Sequence, residues 1–251
     1  MSKKPQPRTL AVLAKRQISP HMRRITLGGP ELQGFPSDQD SAYVKLRFAD
    51  KDNSSVTVMR TYTVRYFREE ARELDVDFVL HDVSGPAADW ARACQVGDSI
   101  TIAGPGPKKL VDFSADWFLL VGDMSALPAI SANLEAMPST AKGFALLEVI
   151  DQSDQQDLVK PDDIDIKWIV NPHPDEKNSF LLDTVKSLEW PEGKPSVWVA
   201  GEFSQSLSIR SYLKSERGVT RTEMYCSSYW QIGKSEDGHR VSKQGVSEKL
   251  G

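Results

Sequence analysis

Residues 58–65, Val58-Met59-Arg60-Thr61-Tyr62-Thr63-Val64-Arg65, decide how the first half of the chain is interpreted. The segment is rich in β-branched and aromatic residues and contains no glycine or proline, which predicts a β-strand with side chains alternating between two faces. Arg60 and Tyr62 therefore share one face. Because arginine binds phosphate through paired hydrogen bonds and a phenol ring stacks on a flat heterocycle, the pair favours an anionic, aromatic ligand. The alternative is an amphipathic barrel strand with surface arginines.

A second candidate ligand-binding element follows the next apolar segment, residues 74–80. Gly85-Pro86 leads into a short predicted helix, and proline is tolerated there because the first helical N–H has no partner within the helix. The free N–H groups of the first turn and the helix dipole favour a phosphate or a pyrophosphate. The chain thus offers two separate phosphate-binding elements and one stacking ring, one phosphate-binding element more than a mononucleotide needs.

These two segments carry a family resemblance. R-x-Y-T at residues 60–63, followed by H-x3-G-P-A-x2-W-A at residues 81–91, resembles the FAD-binding half of the siderophore-interacting protein family. That family consists of ferric-siderophore reductases built on the ferredoxin–NADP reductase plan. The resemblance implies that FAD is the cofactor. It implies the following FAD-binding residues: Arg60, Tyr62, Thr63, Val64, His81, Gly85, Pro86, Ala87, Ala88 and Trp90.

Composition narrows the class of protein. The 251 residues are 39% hydrophobic and 26% charged, which suits a globular protein of two domains. No apolar run is long enough to span a bilayer, and the N-terminus lacks the apolar core of a signal peptide. Two cysteines fit a reducing cytoplasm, and four scattered histidines indicate no metal site. A net charge of −4 argues against nucleic-acid binding. We expect a cytoplasmic protein with no membrane partner, and a monomer is favoured.

The first hundred residues predict an antiparallel β-barrel, because short β-rich segments alternate with turn residues. A helix over residues 87–94 is expected before the last strand. Gly104-Pro105-Gly106-Pro107 marks the boundary, which gives an FAD-binding barrel domain over residues 1–107. The six predicted strands cover residues 9–18, 22–27, 43–48, 56–67, 74–80 and 99–103.

The second half, residues 108–251, predicts an α/β domain with a doubly wound parallel sheet. Its strands, at residues 117–121, 144–150, 166–170, 197–200 and 223–227, are nearly continuous in apolar residues and alternate with helices. Ligands of such sheets bind beyond the carboxyl ends of the strands. No G-x-G-x-x-G sequence is present, which argues against an ordinary Rossmann dehydrogenase.

The segment from Gly122 to Ile130 is similar to the G-D/E-x-T-A-L-P-A-I sequence of the same family. Small residues there allow a nicotinamide or a pyrophosphate to approach the sheet, and Ser125 is expected to cap the following helix. A capped helix start without a ligand is the alternative. The family pattern is not met in full, because Met124, Ser125, Asn133 and Gln231 replace its more usual residues. The predicted nicotinamide-binding residues are Gly122, Asp123, Ser125, Ala126, Gly201 and Glu202.

The sequence is therefore interpreted as an FAD-dependent ferric-siderophore reductase, with NADH or reduced ferredoxin as electron donor. NADH is favoured over NADPH because Asp151, Asp154 and Asp157 follow the second strand of the α/β domain and would repel a 2′-phosphate. The flavin carries the electron transfer, so no side chain is expected to act as a catalytic acid, base or nucleophile. A general flavin or ferredoxin reductase and a non-catalytic chelate-binding protein remain alternatives.

The substrate, a ferric siderophore, is bulky and often anionic, so several cations around an open pocket are expected to attract it. The resemblance points to Lys45, whose family counterpart faces this pocket. Three further cations lie beyond Tyr229-Trp230 in a tail that Glu236-Asp237-Gly238 can turn back on itself. The predicted siderophore-binding residues are Lys45, Lys234, Arg240 and Lys243. For each one, an ordinary surface charge is the alternative.

Overall fold

The computed structural model describes residues 6–49, 57–81 and 85–234. The chain divides into two compact units, Met1–Lys109 and Leu110–Gly251. Unit 1 is mainly β, and unit 2 alternates strands and helices. The two units correspond to the two kinds of domain that the sequence predicts.

The described part of unit 1 contains seven antiparallel strands and one α-helix, with a short 3-10 helix at Pro30–Leu32. Its elements are β1 (Arg8–Ser19), β2 (Met22–Gly28), β3 (Tyr43–Ala49), β4 (Thr57–Thr63), β5 (Tyr66–Arg68), β6 (Glu73–Val79), α1 (Pro86–Ala93) and β7 (Ser99–Gly106).

The strands of unit 1 are ordered β4-β3-β7-β1-β2-β6-β5, so the two edges of the sheet are consecutive in the chain. The backbone changes partner between them. Val64 N donates to Ala42 O at 2.8 Å on the β3 side, and Arg65 N donates to Asp75 O at 2.8 Å on the β6 side. The same short segment therefore connects the two edges of the sheet. This arrangement suits a barrel, in which no long edge is left unpaired.

This seam corrects the sequence-based prediction of a single strand over residues 56–67. The segment forms two strands, and Val64 and Arg65 between them are both buried. Core-facing positions are even-numbered up to Val64, but beyond the break Phe67 packs against the same core, so the alternation shifts by one residue there. Val56 lies outside the described residues.

The core of unit 1 comes from inward-facing residues of the strands and from one face of α1. Ile25, Leu27, Val76 and Phe78 on neighbouring strands are fully buried, and Ala87 and Ala91 of α1 pack against the same cluster. Small alanines on that face of α1 let the helix approach the sheet closely. The barrel core thereby fixes the position of the helix whose N-terminus is a candidate phosphate site.

Up to residue 234, where the description ends, unit 2 contains a five-stranded parallel sheet and three α-helices, with a 3-10 turn at Gln152–Asp154. Its elements are β8 (Trp117–Gly122), α2 (Leu127–Ala136), β9 (Gly143–Val149), β10 (Ile164–Val170), α3 (Phe180–Ser187), β11 (Pro195–Glu202), α4 (Phe203–Ser215) and β12 (Met224–Trp230).

The strand order of unit 2 is β10-β9-β8-β11-β12, and every pairing is parallel. The order reverses between β8 and β11, which is the switch point where open α/β sheets bind ligands. All six residues of β8 are buried, as expected for the central strand of a sheet covered on both faces. The predicted doubly wound sheet is confirmed.

No helix among the described residues is both long enough and apolar enough to cross a membrane.

Candidate functional site

In unit 1, the two predicted FAD-binding elements meet on one aromatic side chain. The Tyr62 ring of β4 lies 4.4 Å from the Phe78 ring of β6, measured between centroids, and the Trp90 ring of α1 lies 5.7 Å from the same Phe78. Phe48 of β3 contacts Trp90 from another side at 5.8 Å. The strand carrying Arg60 and the helix beginning at Pro86 are therefore held by one packed cluster.

Strand register determines which side chains share this face. Tyr62 is paired with Val44, and Arg60 is paired with Leu46; both partners are fully buried. Since directly paired residues point to the same side of a sheet, Arg60 and Tyr62 share a face, as predicted. Arg60 is half-buried, and its Nη1 donates to the carbonyl of Met59 at 2.9 Å.

Thr63 and Val64, the other two FAD-binding residues predicted on this segment, are placed differently from each other. Thr63 is paired with Tyr43, and Lys45 is paired with Thr61, so Thr63 and Lys45 lie on the face opposite to Tyr62. Val64 is fully buried at the seam and donates its backbone N–H to Ala42. Any contact of Val64 with FAD would therefore have to be made indirectly or through backbone atoms.

The N-terminus of α1 has the features of a phosphate-binding helix start. Its N-cap is Gly85, proline occupies the first turn, and no side chain of the described residues caps the free N–H groups. A Cβ added to Gly85 would have no heavy atom within 4 Å among the described neighbours, so the approach is open. Ala87 and Ala88 add no polar side chain that would compete for an anion. These residues fit a pyrophosphate.

Cations from two strands hold the other end of α1, a feature that sequence reasoning missed. Arg23 Nη1 of β2 donates to Ala91 O at 3.1 Å, and Lys15 Nζ of β1 donates to the carbonyls of Arg92 and Cys94. Positive charge at a helix C-terminus complements the helix dipole. Arg92 in turn donates to the carbonyl of His81, at the end of the described segment that precedes the helix. No local sequence pattern reveals the contacts of Lys15 and Arg23 with α1, because these residues and their partners are more than 60 positions apart.

In unit 2, Asp123 occupies the carboxyl end of β8 at the switch point. Its Oδ1 accepts from Ser125 N at 2.9 Å, and its Oδ2 accepts from Glu202 N and Trp230 Nε1, both at 2.8 Å. The side chain is buried, and burial raises the pKa of this carboxyl although the hydrogen bonds favour the charged form. Oδ2 therefore joins the ends of β8, β11 and β12, while Oδ1 holds the turn that follows β8.

Close packing explains the glycines at the switch point. A Cβ on Gly122 would lie 2.7 Å from the Cβ of Ala126, and one on Gly201 would lie 2.6 Å from Asp123 Oδ2. Gly201 also has φ of +144°, which favours glycine. Both glycines serve the internal packing of this edge, and their predicted nicotinamide contacts stay predictions.

Of the two helix starts at the switch point, that of α4 is already occupied by one of this chain's own carboxylates. Ser125 does not cap α2, contrary to the prediction: the N-cap is Ala126, and the Ser125 hydroxyl donates back to Asp123. Glu202 caps α4 instead, since its Oε2 accepts from Ser204 N at 2.6 Å and from Gln205 N at 3.0 Å. A pyrophosphate would have to displace the Glu202 carboxylate to reach those N–H groups.

A buried polar group that the sequence analysis did not identify lies beside these residues. Glu148, in β9, accepts from Asn171 Nδ2 at 3.0 Å through Oε1, and it is 4% exposed. The pKa of Glu148 is raised to about 7: burial is the largest cause and the nearby Asp123 and Glu202 add to it, while the amides of Asn171 and Gln205 act in the opposite direction. In the sequence, the signal for this buried group was a glutamate near the end of an otherwise apolar strand.

The acidic loop after β9 contains a 3-10 turn that two of its aspartates stabilise. Asp151 and Asp154 form a reciprocal capping box around the 3-10 turn, and Asp154 is fully buried. Their carboxylates accept hydrogen bonds from the loop backbone, as Asp151 does from Ser153 N at 2.8 Å. Asp157 is exposed. Asp151 and Asp154, two of the three acids predicted to repel a 2′-phosphate, therefore stabilise a turn of their own loop.

The predicted siderophore cations are only partly within the described residues. Lys45 and Lys234 are described, whereas Arg240 and Lys243 lie outside the described ranges. Asn133, one departure from the family pattern, is fully buried; its Oδ1 accepts from Val111 N at 2.9 Å and its Nδ2 donates to Ala129 O at 2.9 Å. Asn133 therefore serves the core of unit 2.

Comparison with known proteins supports this picture. The model of the siderophore-interacting FAD-binding domain matches residues 11–59 and 51–109, and the siderophore-interacting protein model matches residues 115–233. The ferric vibriobactin reductase ViuB of Vibrio cholerae is 36% identical over 97% of this chain and 96% of its own length.

The chain belongs to the siderophore-interacting protein family.

Solved structures agree with this assignment. The siderophore-interacting protein SipS from Aeromonas hydrophila superposes with a TM-score of 0.87 at 36% identity, over 97% of this chain and 99% of that chain. A ferredoxin-NADP+ reductase from Plasmodium falciparum, at 12% identity, has a TM-score of 0.67 over 89% of this chain and 97% of its own. This siderophore-interacting protein thus has the two-domain fold of ferredoxin–NADP reductases, with an FAD-binding barrel first.

Proposed function

We propose that this siderophore-interacting protein is a cytoplasmic, FAD-dependent reductase of ferric siderophores. The observation that supports this most is the packing of Tyr62 and Trp90 on Phe78, with centroids 4.4 and 5.7 Å apart. It holds a stacking ring, an arginine and a helix N-terminus in one unit, in a chain 36% identical to a ferric vibriobactin reductase. These are the parts needed to bind a flavin dinucleotide.

The predicted FAD-binding residues of unit 1 then have distinct physical roles. Arg60 and the α1 N-terminus supply positive potential and N–H donors for the two phosphates. Tyr62 offers an aromatic face for stacking, and its packing on Phe78 limits the ring's freedom before FAD binds. Gly85 leaves the approach to the helix open. The barrel therefore presents a preformed site.

The proposed reaction releases iron by changing its oxidation state. Hard oxygen ligands hold Fe(III) tightly and Fe(II) weakly, so one-electron reduction loosens the chelate. Bound FAD supplies the redox chemistry, since a flavin accepts two electrons together and passes them on singly. The side chains bind and orient the reactants, and no acid, base or nucleophile is needed. We propose NADH as the donor, with reduced ferredoxin as the alternative.

Anaerobic reduction of the purified protein tests this function. The flavin-containing protein is mixed with NADH, NADPH or reduced ferredoxin while flavin absorbance is followed. A ferric catecholate or hydroxamate siderophore is then added together with an Fe(II)-specific chelator. We expect bleaching of the flavin by at least one donor, followed by reoxidation of the flavin and formation of the Fe(II) complex.

Other outcomes would support the two alternatives. A flavin that is reduced but passes electrons only to ferredoxin, and not to ferric chelates, would indicate a general reductase. A protein that binds the ferric siderophore but does not accept electrons from any donor would indicate a binding protein. Protein stripped of flavin is the control, because any Fe(II) it yields comes from direct reaction of the donor with the chelate.

A further inference from the structure

Glu148 lies at a distinctive place in the sheet of unit 2. In the strand register Gly122 is paired with Leu147, so Glu148 is level with Asp123, at the carboxyl edge of the strand next to the switch point. In dinucleotide-binding sheets, an acid at the end of the second strand, roughly 20 positions after the first strand's glycines, receives the ribose 2′-hydroxyl. β9 is the second strand of this sheet. Glu148 therefore occupies the position of that acid.

Two buried acceptors at this place lack donors. Among the described residues, Glu148 Oε2 and Gln205 Oε1 accept no hydrogen bond, although the side-chain amide of Gln205 lies close enough to Glu148 to lower its pKa. Glu148 is 4% exposed and Gln205 is 8% exposed, and both approach the edge from different elements, β9 and the first turn of α4. Buried polar atoms without partners are rare in folded proteins, so a ligand carrying hydroxyl groups would complete the arrangement.

The charge around these acceptors disfavours a phosphate. The carboxylates of Asp123 and Glu202 are close enough to Glu148 to raise its pKa, and the other groups that affect it, Asn171 and Gln205, are neutral amides. Uncharged hydroxyl donors suit such surroundings, whereas a 2′-phosphate would be repelled. Asp151 and Asp154 are already committed to their own turn, which leaves Glu148 better placed than they are to discriminate.

We propose that Glu148 and Gln205 form the subsite that receives ribose hydroxyls of a nicotinamide dinucleotide, and that Glu148 makes the protein select the form without a 2′-phosphate. This inference rests on the proposed function, since it concerns the nicotinamide donor. In this proposal Glu148, and not the loop aspartates Asp151, Asp154 and Asp157, determines the choice of electron donor.

The test uses redox-inactive fragments of the donor. Binding of ADP-ribose and of 2′-phospho-ADP-ribose to the FAD-containing protein is measured by titration calorimetry at pH 8. We expect the wild type to prefer ADP-ribose, and Glu148→Gln to reduce this preference by about tenfold or more, because a negative charge is removed. The wild-type preference should also weaken at pH 6, where Glu148 takes up a proton.

Matched controls separate this subsite from general charge effects. Asp165→Asn removes an exposed charge near the amino end of β10 and should not change the preference. Asp157→Asn tests the loop: loss of the preference in this variant, with none in Glu148→Gln, would assign the discrimination to Asp157. If Glu148→Gln fails to fold, Gln205→Met tests the same subsite, and it should weaken ADP-ribose binding severalfold.

Two results would overturn the proposal: an unchanged preference in Glu148→Gln, or no binding of either fragment by the wild type. Neither result affects the proposed reductase function, because reduced ferredoxin could still supply the electrons. Conversely, a normal Glu148 effect together with failure to reduce any ferric chelate would contradict only the proposed function.

Discussion

Trp230 donates its indole N–H to Oδ2 of Asp123 at 2.8 Å, joining the end of β12 to the end of β8 although the two residues are 107 positions apart. The same oxygen accepts from Glu202 N, so the ends of three strands meet on one carboxylate. Gly201 makes this possible, because any side chain there would occupy the space of Asp123 Oδ2.

Replacing Gly201 with alanine should therefore destabilise unit 2. The positive φ costs about 1–2 kcal/mol, and the added Cβ forces Asp123 away from Trp230. We expect a drop of more than about 2 kcal/mol in the free energy of unfolding, measured by urea denaturation. Gly218→Ala is the matched control: Gly218 also has positive φ, but a Cβ meets no described atom there, so only the strain term applies. Equal losses in both variants would show that Asp123 is not displaced.

Glu148 should make folding stability depend on pH. Its pKa is about 7 in the folded protein and near 4.5 when unfolded, so the folded state binds more protons between these values and loses stability as the pH rises through them. Glu148→Gln should remove roughly 2–3 kcal/mol of this loss between pH 5 and pH 8. Urea denaturation at several pH values measures it, and parallel pH profiles for wild type and variant would contradict the expectation.

Arg60→Ala should release the flavin. Loss of a charge-assisted contact to phosphate costs about 1.5–3 kcal/mol, which corresponds to roughly 10- to 100-fold weaker FAD binding. The FAD content after purification and the dissociation constant on reconstitution measure this. Arg47→Ala, which removes an exposed arginine from the neighbouring strand, should retain FAD. Full FAD occupancy in Arg60→Ala would refute the assignment.

The cations at the C-terminus of α1 should influence FAD binding from a distance. In the Lys15→Met/Arg23→Met variant the last carbonyls of α1 lose their donors, which loosens the helix relative to the barrel. We expect FAD affinity to fall about 3- to 10-fold with little change in the flavin spectrum. Arg16→Met, which removes an exposed cation from the same strand as Lys15, is the control. Affinity equal to that of the wild type would show that these contacts do not position α1.

The predicted siderophore cations should act through their summed charge. A Lys45/Lys234/Arg240/Lys243 quadruple alanine variant should raise the apparent KM for an anionic ferric siderophore severalfold at low ionic strength, and less at high salt. Flavin content and reduction by NADH should stay unchanged.

A second quadruple variant controls for net charge alone, with alanine at four exposed cations of unit 2: Lys142, Lys177, Lys214 and Arg221. An effect of equal size in both quadruple variants would point to the overall charge. No effect in the first variant would eliminate these residues as the substrate-attracting group.

The sequence by itself determined the features that depend on short-range patterns. Alternation placed Arg60 and Tyr62 on one face, Gly85-Pro86 marked the start of α1, and the apolar run of residues 117–121 identified a central parallel strand. These follow from the two-residue period of a strand and from the backbone preferences of glycine and proline, which act over a few residues.

Only the tertiary structure decided the rest. The break at Val64 depends on which strands lie on either side of the seam, and the capping of α1 by Arg23 depends on how β2 packs beside the helix. Glu148 and Gln205 meet because the strand order reverses between β8 and β11. Hydrogen bonds and charge interactions form wherever chain topology brings groups together, and that proximity has no local signal in the sequence.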